Sequence, residues 1–282
     1  MLDSSIVKKI NDFVYLKPRT VKEVAELLSK NWRTANRYVE AIARETGSIS
    51  IRTLRGGTRG AIKIVYWNNT ERIHSFEFQE RLLKRIEGRK KTDFSPFDIY
   101  QYVDEGRRKA VLLNLKGRGD RVRDHLEGTQ KQVLSFSGNL SWINTKEKGK
   151  KLLDVLEGMA KKGISIKVLT RVTVDSMNNV KSLLGINDSL GKNAIEIRHR
   201  EHPLRGFVID DSLARFREMK DPSGYEKGEL DERILLFYEV TDPEWVAWTQ
   251  KVFWHMFRSS IPAEKRMKDL ESIQNIYRIS SG

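Results

Sequence analysis

Arg33, Asn36, Arg37, Glu40 and Arg44 recur at intervals of three and four residues, so a helix containing them carries guanidinium and amide groups along one side. Arginine can fork to guanine and asparagine to adenine in a major groove, and both can hold phosphate oxygens. Arg55, Gly57, Thr58 and Arg59 form a second set, within the run RGGTRG. Its glycines permit positive φ and let backbone approach a phosphate closely, while its arginines supply charge. A third set, Asn139, Ser141, Arg171, Arg198, Arg200 and Arg205, falls on or just past expected strand ends, where open α/β sheets bind ligands. Three arginines converging there would suit a phosphate or a carboxylate. The plainer use of the same arginines is a surface salt-bridge cluster with Glu196, Glu201 and Asp210.

The elements that must position the first two sets are legible. Thr20 followed by Glu23 has the spacing of a capping box, and Val21, Val24, Ala25 and Leu28 then make one buried stripe. After a break at Ser29, Lys30 and Asn31, a second stripe of Ala35, Tyr38, Val39 and Ile42 leaves the Arg/Asn face outward, and Gly47 ends the helix. Ile49 and Ile51, then Ile62, Ile64 and Tyr66, alternate with polar residues on either side of RGGTRG, which predicts a hairpin with a cationic tip. That order reads as a winged helix-turn-helix over residues 1–70. Arg33, Thr34, Asn36 and Arg37 would face a major groove, and Arg55, Gly57, Thr58 and Arg59 would meet phosphates. Any small helical domain has apolar stripes; they do not by themselves explain a short turn, a basic polar face and a basic hairpin together.

Charge follows the same division. The 282 residues carry a formal net charge of +14. Residues 1–70 hold 13 Lys and Arg against 6 Asp and Glu, a net of +7, whereas residues 131–282 hold 25 against 21, a net of +4. A concentrated positive head on a nearly balanced body is the electrostatic footprint of a nucleic-acid-binding module. A generally basic, highly charged protein from a hot environment would not localise the excess. The absence of cysteine removes disulfides, thiolate metal sites and cysteine nucleophiles. No apolar run reaches membrane-spanning length and the start MLDSSIVKKI lacks the apolar core of a signal peptide, so a cytoplasmic, nucleoid-associated location is expected.

Residues 71–88 read as one helix, with Ile73, Phe76, Leu83 and Ile86 close to one face, either a linker packed on its own domain or one half of a dimer contact. Gly88, Arg89, Lys90, Lys91 and Thr92 break the pattern as a hinge, and residues 93–130, with Ile99, Val103, Val111, Leu112 and Leu115, are expected to be mostly helical. From residue 132 strands and helices alternate, ending in a strand over 234–240 and a long helix opened by Asp242 and Pro243, as in an α/β sheet covered by helices. Trp245, Trp248, Phe253, Trp254 and Phe257 lie on more than one side of that last helix, which must be buried from several directions or lie in a subunit interface.

In order and spacing, VLSFSGNLSWI, ISIKVLTRV and HPLRGFVIDD resemble the single-copy phospholipase-D-like domain, and a winged helix followed by such a domain resembles the archaeal TrmB-type transcriptional regulators. The enzymes of the phospholipase-D superfamily use HxKxxxxD, in which His attacks phosphorus and Lys clamps its oxygens. Under that resemblance Asp210 stands for the Asp and Arg205 for the Lys, but Pro203 occupies the His position and His202 lies one residue away. Proline offers no nucleophile, and the Gly-Ser-x-Asn signature downstream is missing, so the resemblance implies a kept fold without its hydrolase chemistry.

The expected architecture is an α/β multidomain chain: a winged helix-turn-helix (1–70), a helical linker or dimerisation region (71–130) and a phospholipase-D-like α/β sandwich (131–282), catalytically degenerate. The expected activity is sequence-specific DNA binding in transcription regulation, by a homodimer with double-stranded DNA as partner, without catalytic residues, metal, cofactor or membrane. The C-terminal domain would dimerise, sense a small-molecule effector or meet the transcription machinery. Two alternatives stand beside it: a phospholipase-D-like nuclease delivered by its winged helix, and an architectural chromatin protein.

Overall fold

The computed structural model describes residues 3–55, 61–68, 75–88, 92, 94–114 and 122–280. The elements begin with α1 (Ser4–Leu16), β1 (Arg19–Thr20), α2 (Val21–Leu28), α3 (Trp32–Glu45), β2 (Ile49–Arg55), β3 (Ala61–Trp67), α4 (Ser75–Ile86), α5 (Phe97–Tyr100) and β4 (Arg108–Asn114). Next come α6 (Val122–Glu127), β5 (Gln132–Phe136), β6 (Lys146–Glu147), β7 (Lys150–Lys151), α7 (Leu152–Lys161), β8 (Ser165–Thr170), α8 (Met177–Leu190) and β9 (Ile195–His199). The chain finishes with β10 (Gly206–Ile209), β11 (Leu213–Lys220), β12 (Ile234–Val240), α9 (Pro243–Arg258), β13 (Ile261–Pro262) and α10 (Ala263–Ser280).

The chain forms two compact units, one of Met1–Leu82, Ser95–Arg118 and Arg217–Tyr238, the other of Leu83–Phe94, Gly119–Phe216 and Glu239–Gly282. This cuts the chain differently from the division at residues 70 and 130 that composition suggests.

In the first unit the Thr20 hydroxyl accepts from Glu23 N at 3.1 Å while the Glu23 carboxylate accepts from Thr20 N at 2.7 Å, so the capping box starts α2 as its spacing requires. The three-stranded antiparallel sheet has the order β1-β3-β2. One face of the hairpin packs Ile49 and Val65 against Ile10, Val24, Ala35, Val39 and Ile42 of the helices. Its other face buries Leu54, Ile62 and Ile64 against Phe97, Tyr100, Leu236 and Tyr238, residues far along the chain. Beside that cluster the Glu218 carboxylate accepts from Ser95 Oγ (3.0 Å), Tyr238 OH (3.1 Å) and Lys220 Nζ (2.8 Å), which ties Ser95, β11 and β12 together through one acceptor.

The second unit is built on a mixed sheet in which β5, β8 and β9 run parallel, β10 is antiparallel to β5, and β13 is antiparallel to β9. Helices α6, α7 and α8 cover one face through Leu126, Leu156, Val180 and Leu183, packed on Val133, Ile166, Val168 and Ile197. On β5 the alternation puts Phe136 on the other face, where it meets Phe253 of α9 edge-on at 5.2 Å. The carboxylate of Asp242 caps α9 by accepting from Glu244 N (3.0 Å) and Trp245 N (3.2 Å).

One expectation changes, and of the two uses open to the aromatic α9 the first holds. Among the described residues of 93–130 most are not helical: Val111 and Leu112 lie on strand β4, and only the short α5 and α6 and a single 3-10 turn over Glu105–Arg107 are helical. The aromatic side chains of α9 are consumed inside the chain, since Trp245, Trp248, Phe253 and Phe257 are all buried and only Trp254 keeps partial exposure. A dimer interface therefore cannot draw on Trp248 or Phe257. Leu83 is half-buried, and Ile73, Leu115, the side chain of Phe76 and hinge residues Arg89, Lys90 and Lys91 lie outside the described residues. Among the described residues no helix is long and apolar enough to cross a membrane.

Because Leu54, Ile62 and Ile64 need Phe97, Leu236 and Tyr238 to cover them, residues 1–70 alone would expose one apolar face of the hairpin. Such a fragment is expected to bind a hydrophobic dye and to melt without a sharp transition by circular dichroism, whereas the full chain melts cooperatively.

Candidate functional site

Helix α3 is aimed by its buried stripe. Ala35, Val39 and Ile42 face the core, which leaves Arg33 and Arg37 exposed and Thr34 and Asn36 half-exposed on the outer side. Asn31 caps the helix, its side-chain oxygen accepting from Thr34 N at 2.9 Å. Among the described residues no hydrogen bond or ion pair holds the guanidinium of Arg33 or Arg37, and Arg37 rests only loosely, 5.8 Å from the Tyr38 ring. Arg55 is exposed at the end of β2, in register with Ala61. Gly57, Thr58 and Arg59 lie outside the described residues.

Asn36 is not idle. Its Oδ1 accepts from Lys63 Nζ at 2.8 Å, its Nδ2 donates to Glu40 Oε1 at 2.8 Å, and Lys63 Nζ also reaches Glu40 at 3.0 Å. Hydrogen bonds from Lys63 first, and from Asn36 next, hold the Glu40 carboxyl below the usual carboxylate range. Lys63 also stands 5.6 Å over the ring of Trp32, whose Nε1 donates to Glu229 Oε2 at 3.0 Å. Burial raises the Glu229 carboxyl, against the hydrogen bonds from Glu226 N and Trp32. A cleft of about 920 Å³ opens at this end of α3, lined by Lys22, Lys30, Arg33, Lys227 and the Trp32–Glu229 pair among others.

In the second unit the parallel strands end together: Ser137 N donates to Leu169 O (2.8 Å), Arg171 N to Gly138 O (3.2 Å) and Arg200 N to Thr170 O (3.0 Å). Arg205 joins this end. Its guanidinium lies across Gly138 so closely that a Cβ there would come within 2.7 Å of Nε, and it donates to His202 O at 2.9 Å. Asn139 accepts from Ser141 N at 3.2 Å, and the Arg171 side chain is exposed. Arg205, Arg171, Asn139 and Ser141 are thus grouped around one strand end.

Arg198 and Arg200 are committed elsewhere. Arg198 donates to Phe257 O (3.2 Å) and Arg258 O (3.4 Å), lies 4.8 Å over the Phe257 ring and pairs with Glu196 at 2.8 Å. Arg200 donates to Ser259 Oγ at 2.7 Å and stands 3.9 Å from Glu87. Both neutralise the carbonyl end of α9, a stabilising place for a cation. Arg200 also borders a recess of about 470 Å³ with Glu87, His199, Glu201 and Ser260.

Asp210 does not join a salt-bridge cluster with these arginines. At φ +48°, it turns its carboxylate onto Gln130 N (2.9 Å), Lys131 N (2.8 Å) and Gln132 N (2.9 Å), at the opposite end of β5 from Arg205. Three amides on one carboxylate make it an anchor for the start of the strand. His202 is 2% exposed, with Nε2 3.2 Å from Leu169 O and its ring edge-on to Phe136. Burial first, and then the charge of Arg205, lowers its pKa to about 3. The imidazole is neutral and turned into the interior.

No family profile and no curated protein matches the chain. Among solved structures it is similar to TrmBL2, described as an archaeal chromatin protein showing a novel mode of DNA binding, with 15% identity over 92% of this chain and 94% of that one and a TM-score of 0.42. It is also similar to the phospholipase D family member Nuc from Salmonella typhimurium (8% identity, 55% of this chain, 97% of that one, TM-score 0.39). NucT from Helicobacter pylori is a further likeness (12%, 55%, 99%, TM-score 0.40).

Lys63 and the Trp32–Glu229 pair escape a reading of the sequence. Alternation on β3 puts Lys63 opposite Ile62 and Ile64, but which helix it then meets is a tertiary fact, and Glu229 is 197 residues from Trp32. His202 supplies a test of its burial. It takes a proton near pH 6.5 in the unfolded chain and only near 3 in the folded one, so between these values the unfolded state binds more protons. The stability present above pH 6.5 is therefore lost as pH falls towards 3. In urea unfolding, the drop from about pH 7 to about pH 5 is expected to be smaller in His202→Gln by up to ~2 kcal/mol.

Proposed function

We propose that the protein is a sequence-specific DNA-binding transcriptional regulator. In this reading the first unit is a winged helix-turn-helix with α3 as reading helix and β2–β3 as wing, and the second is a phospholipase-D-like domain that has lost hydrolysis. The observation that carries it is the outer face of α3, where Arg33 and Arg37 stand exposed opposite a fully buried stripe, beside a hairpin bearing Arg55. A helix with one face in the core and free guanidiniums on the other fits a major groove. The concentration of charge in residues 1–70 supports the same partner.

The nuclease alternative needs an accessible nucleophile. His202 is buried and neutral, Pro203 occupies the position the motif gives to His, and Asp210 is spent on three backbone amides. Architectural coating of DNA differs from regulation in having little sequence preference. Association of two chains would place two reading helices on one duplex and let two weak contacts act as one.

Selection of bound sequences from a random duplex pool tests the reading, and a sharp enriched motif is expected. Arg37→Ala should cost ~1–3 kcal/mol on the enriched duplex and relax the preference at one position, while Arg59→Ala should weaken all duplexes alike. Enrichment of no motif would favour the architectural role. Hydrolysis of a chromogenic phosphodiester, abolished in His202→Gln, would reject the non-enzymatic reading.

A further inference from the structure

Asn36 has the side chain best suited to read adenine, yet both ends of its amide are already occupied. Oδ1 accepts from Lys63 (2.8 Å) and Nδ2 donates to Glu40 (2.8 Å), while Lys63 and Glu40 close the triangle at 3.0 Å. A bidentate contact to adenine needs a donor and an acceptor on one edge of the amide. Lys63 Nζ and Glu40 Oε1, only 3.0 Å apart and each bonded to one amide atom, stand together on that edge, so in the free protein Asn36 cannot present it to a base. We propose that Glu40 and Lys63 form a latch on Asn36 and that Glu40 is a specificity-determining residue that works by exclusion. The inference rests on the DNA-binding reading above.

The latch is weak enough to open. Side-chain exposure is 53% for Glu40 and 24% for Lys63, and an ion pair so exposed shifts an equilibrium by only a factor of a few. A DNA phosphate beside the hairpin competes for the Lys63 ammonium. Taking it strands Glu40, a carboxylate on the face that approaches a polyanion. In a major groove a carboxylate is satisfied by an amino group, best by cytosine N4. Where that donor is present, Glu40 exchanges Lys63 for the base, Lys63 moves to a phosphate, and Asn36 is freed to pair with adenine. Where it is absent, opening leaves an uncompensated charge, so Lys63 stays on Glu40 and makes no phosphate contact. Random DNA thus loses both a base contact and a cation.

The test compares full-length wild-type, Glu40→Gln and Lys63→Met on two duplexes, one enriched from a random pool by the wild-type protein and one scrambled, each titrated over a range of salt. For Glu40→Gln, binding to scrambled duplex is expected to tighten roughly three- to tenfold, and its plot of log K against log salt to steepen by about one unit as Lys63 becomes free for phosphate. Affinity for the enriched duplex should fall, because a neutral amide oxygen accepts from cytosine N4 more weakly than a carboxylate does, so discrimination falls by at least the same roughly three- to tenfold. Lys63→Met should weaken both duplexes and flatten the enriched duplex's salt slope by about one unit. An unchanged ratio and an unchanged salt slope in Glu40→Gln, with the wild type still discriminating, would overturn the latch and leave the DNA reading standing. Failure of the wild type to bind any duplex would overturn both.

Discussion

Burial of the β2–β3 hairpin on both faces is the constraint on which the first unit depends. A two-stranded hairpin is marginal alone, and here three helices take one side while Phe97, Tyr100, Leu236 and Tyr238 take the other. The consequence reaches α3. Lys63 sits on the strand whose inward residues, Ile62 and Ile64, are fixed by that second layer, so the position of its ammonium over Asn36 and Glu40 is set by packing on residues as far along the chain as Leu236 and Tyr238. Glu218 reinforces the arrangement, because Ser95, Lys220 and Tyr238 all donate to one carboxylate in a setting where an unpaired donor would be costly.

The second unit uses charged residues mainly to finish secondary structure. Asp210 nests three amides at the start of β5, and Arg198 and Arg200 close the carbonyl end of α9. Arg205 covers Gly138 where the parallel strands end. Glu239, on β12, stands 3.7 Å from His125 and accepts from Arg215 at 3.1 Å, and the two neighbours draw its carboxyl down to about 2. Asp210, Arg198, Arg200 and Arg205 are thus engaged in holding strands and helix ends, and the His202 imidazole is buried and neutral.

Free and engaged side chains alternate on the outer face of α3, and that division has a functional meaning. In the proposed DNA-binding reading, Arg33 and Arg37 are available to any duplex and would supply affinity without preference until a guanine meets one of them. Asn36 and Glu40 are coupled to each other and to Lys63, so their contribution depends on which bases are present.

Local chemistry determined what the sequence could determine. The Thr20–Glu23 box, the Asn31 and Asp242 caps and the alternating apolar runs of β5, β8, β9 and β12 depend on neighbours within a few residues, and each element lies where its pattern puts it. The outward direction of Arg33, Asn36 and Arg37 follows from the same periodicity. Residues 93–130 were opaque because β4 is a strand made by its partners: charged residues flank a short apolar run that has no periodic signature of its own. The aromatic α9 was ambiguous for a related reason, since a pattern records that side chains must be buried but not by what. Only the tertiary structure sent Arg198 and Arg200 to a helix end, Asp210 to the far end of its strand and Lys63 to Asn36, because each of these pairings joins groups whose separation along the chain carries no information about their separation in space.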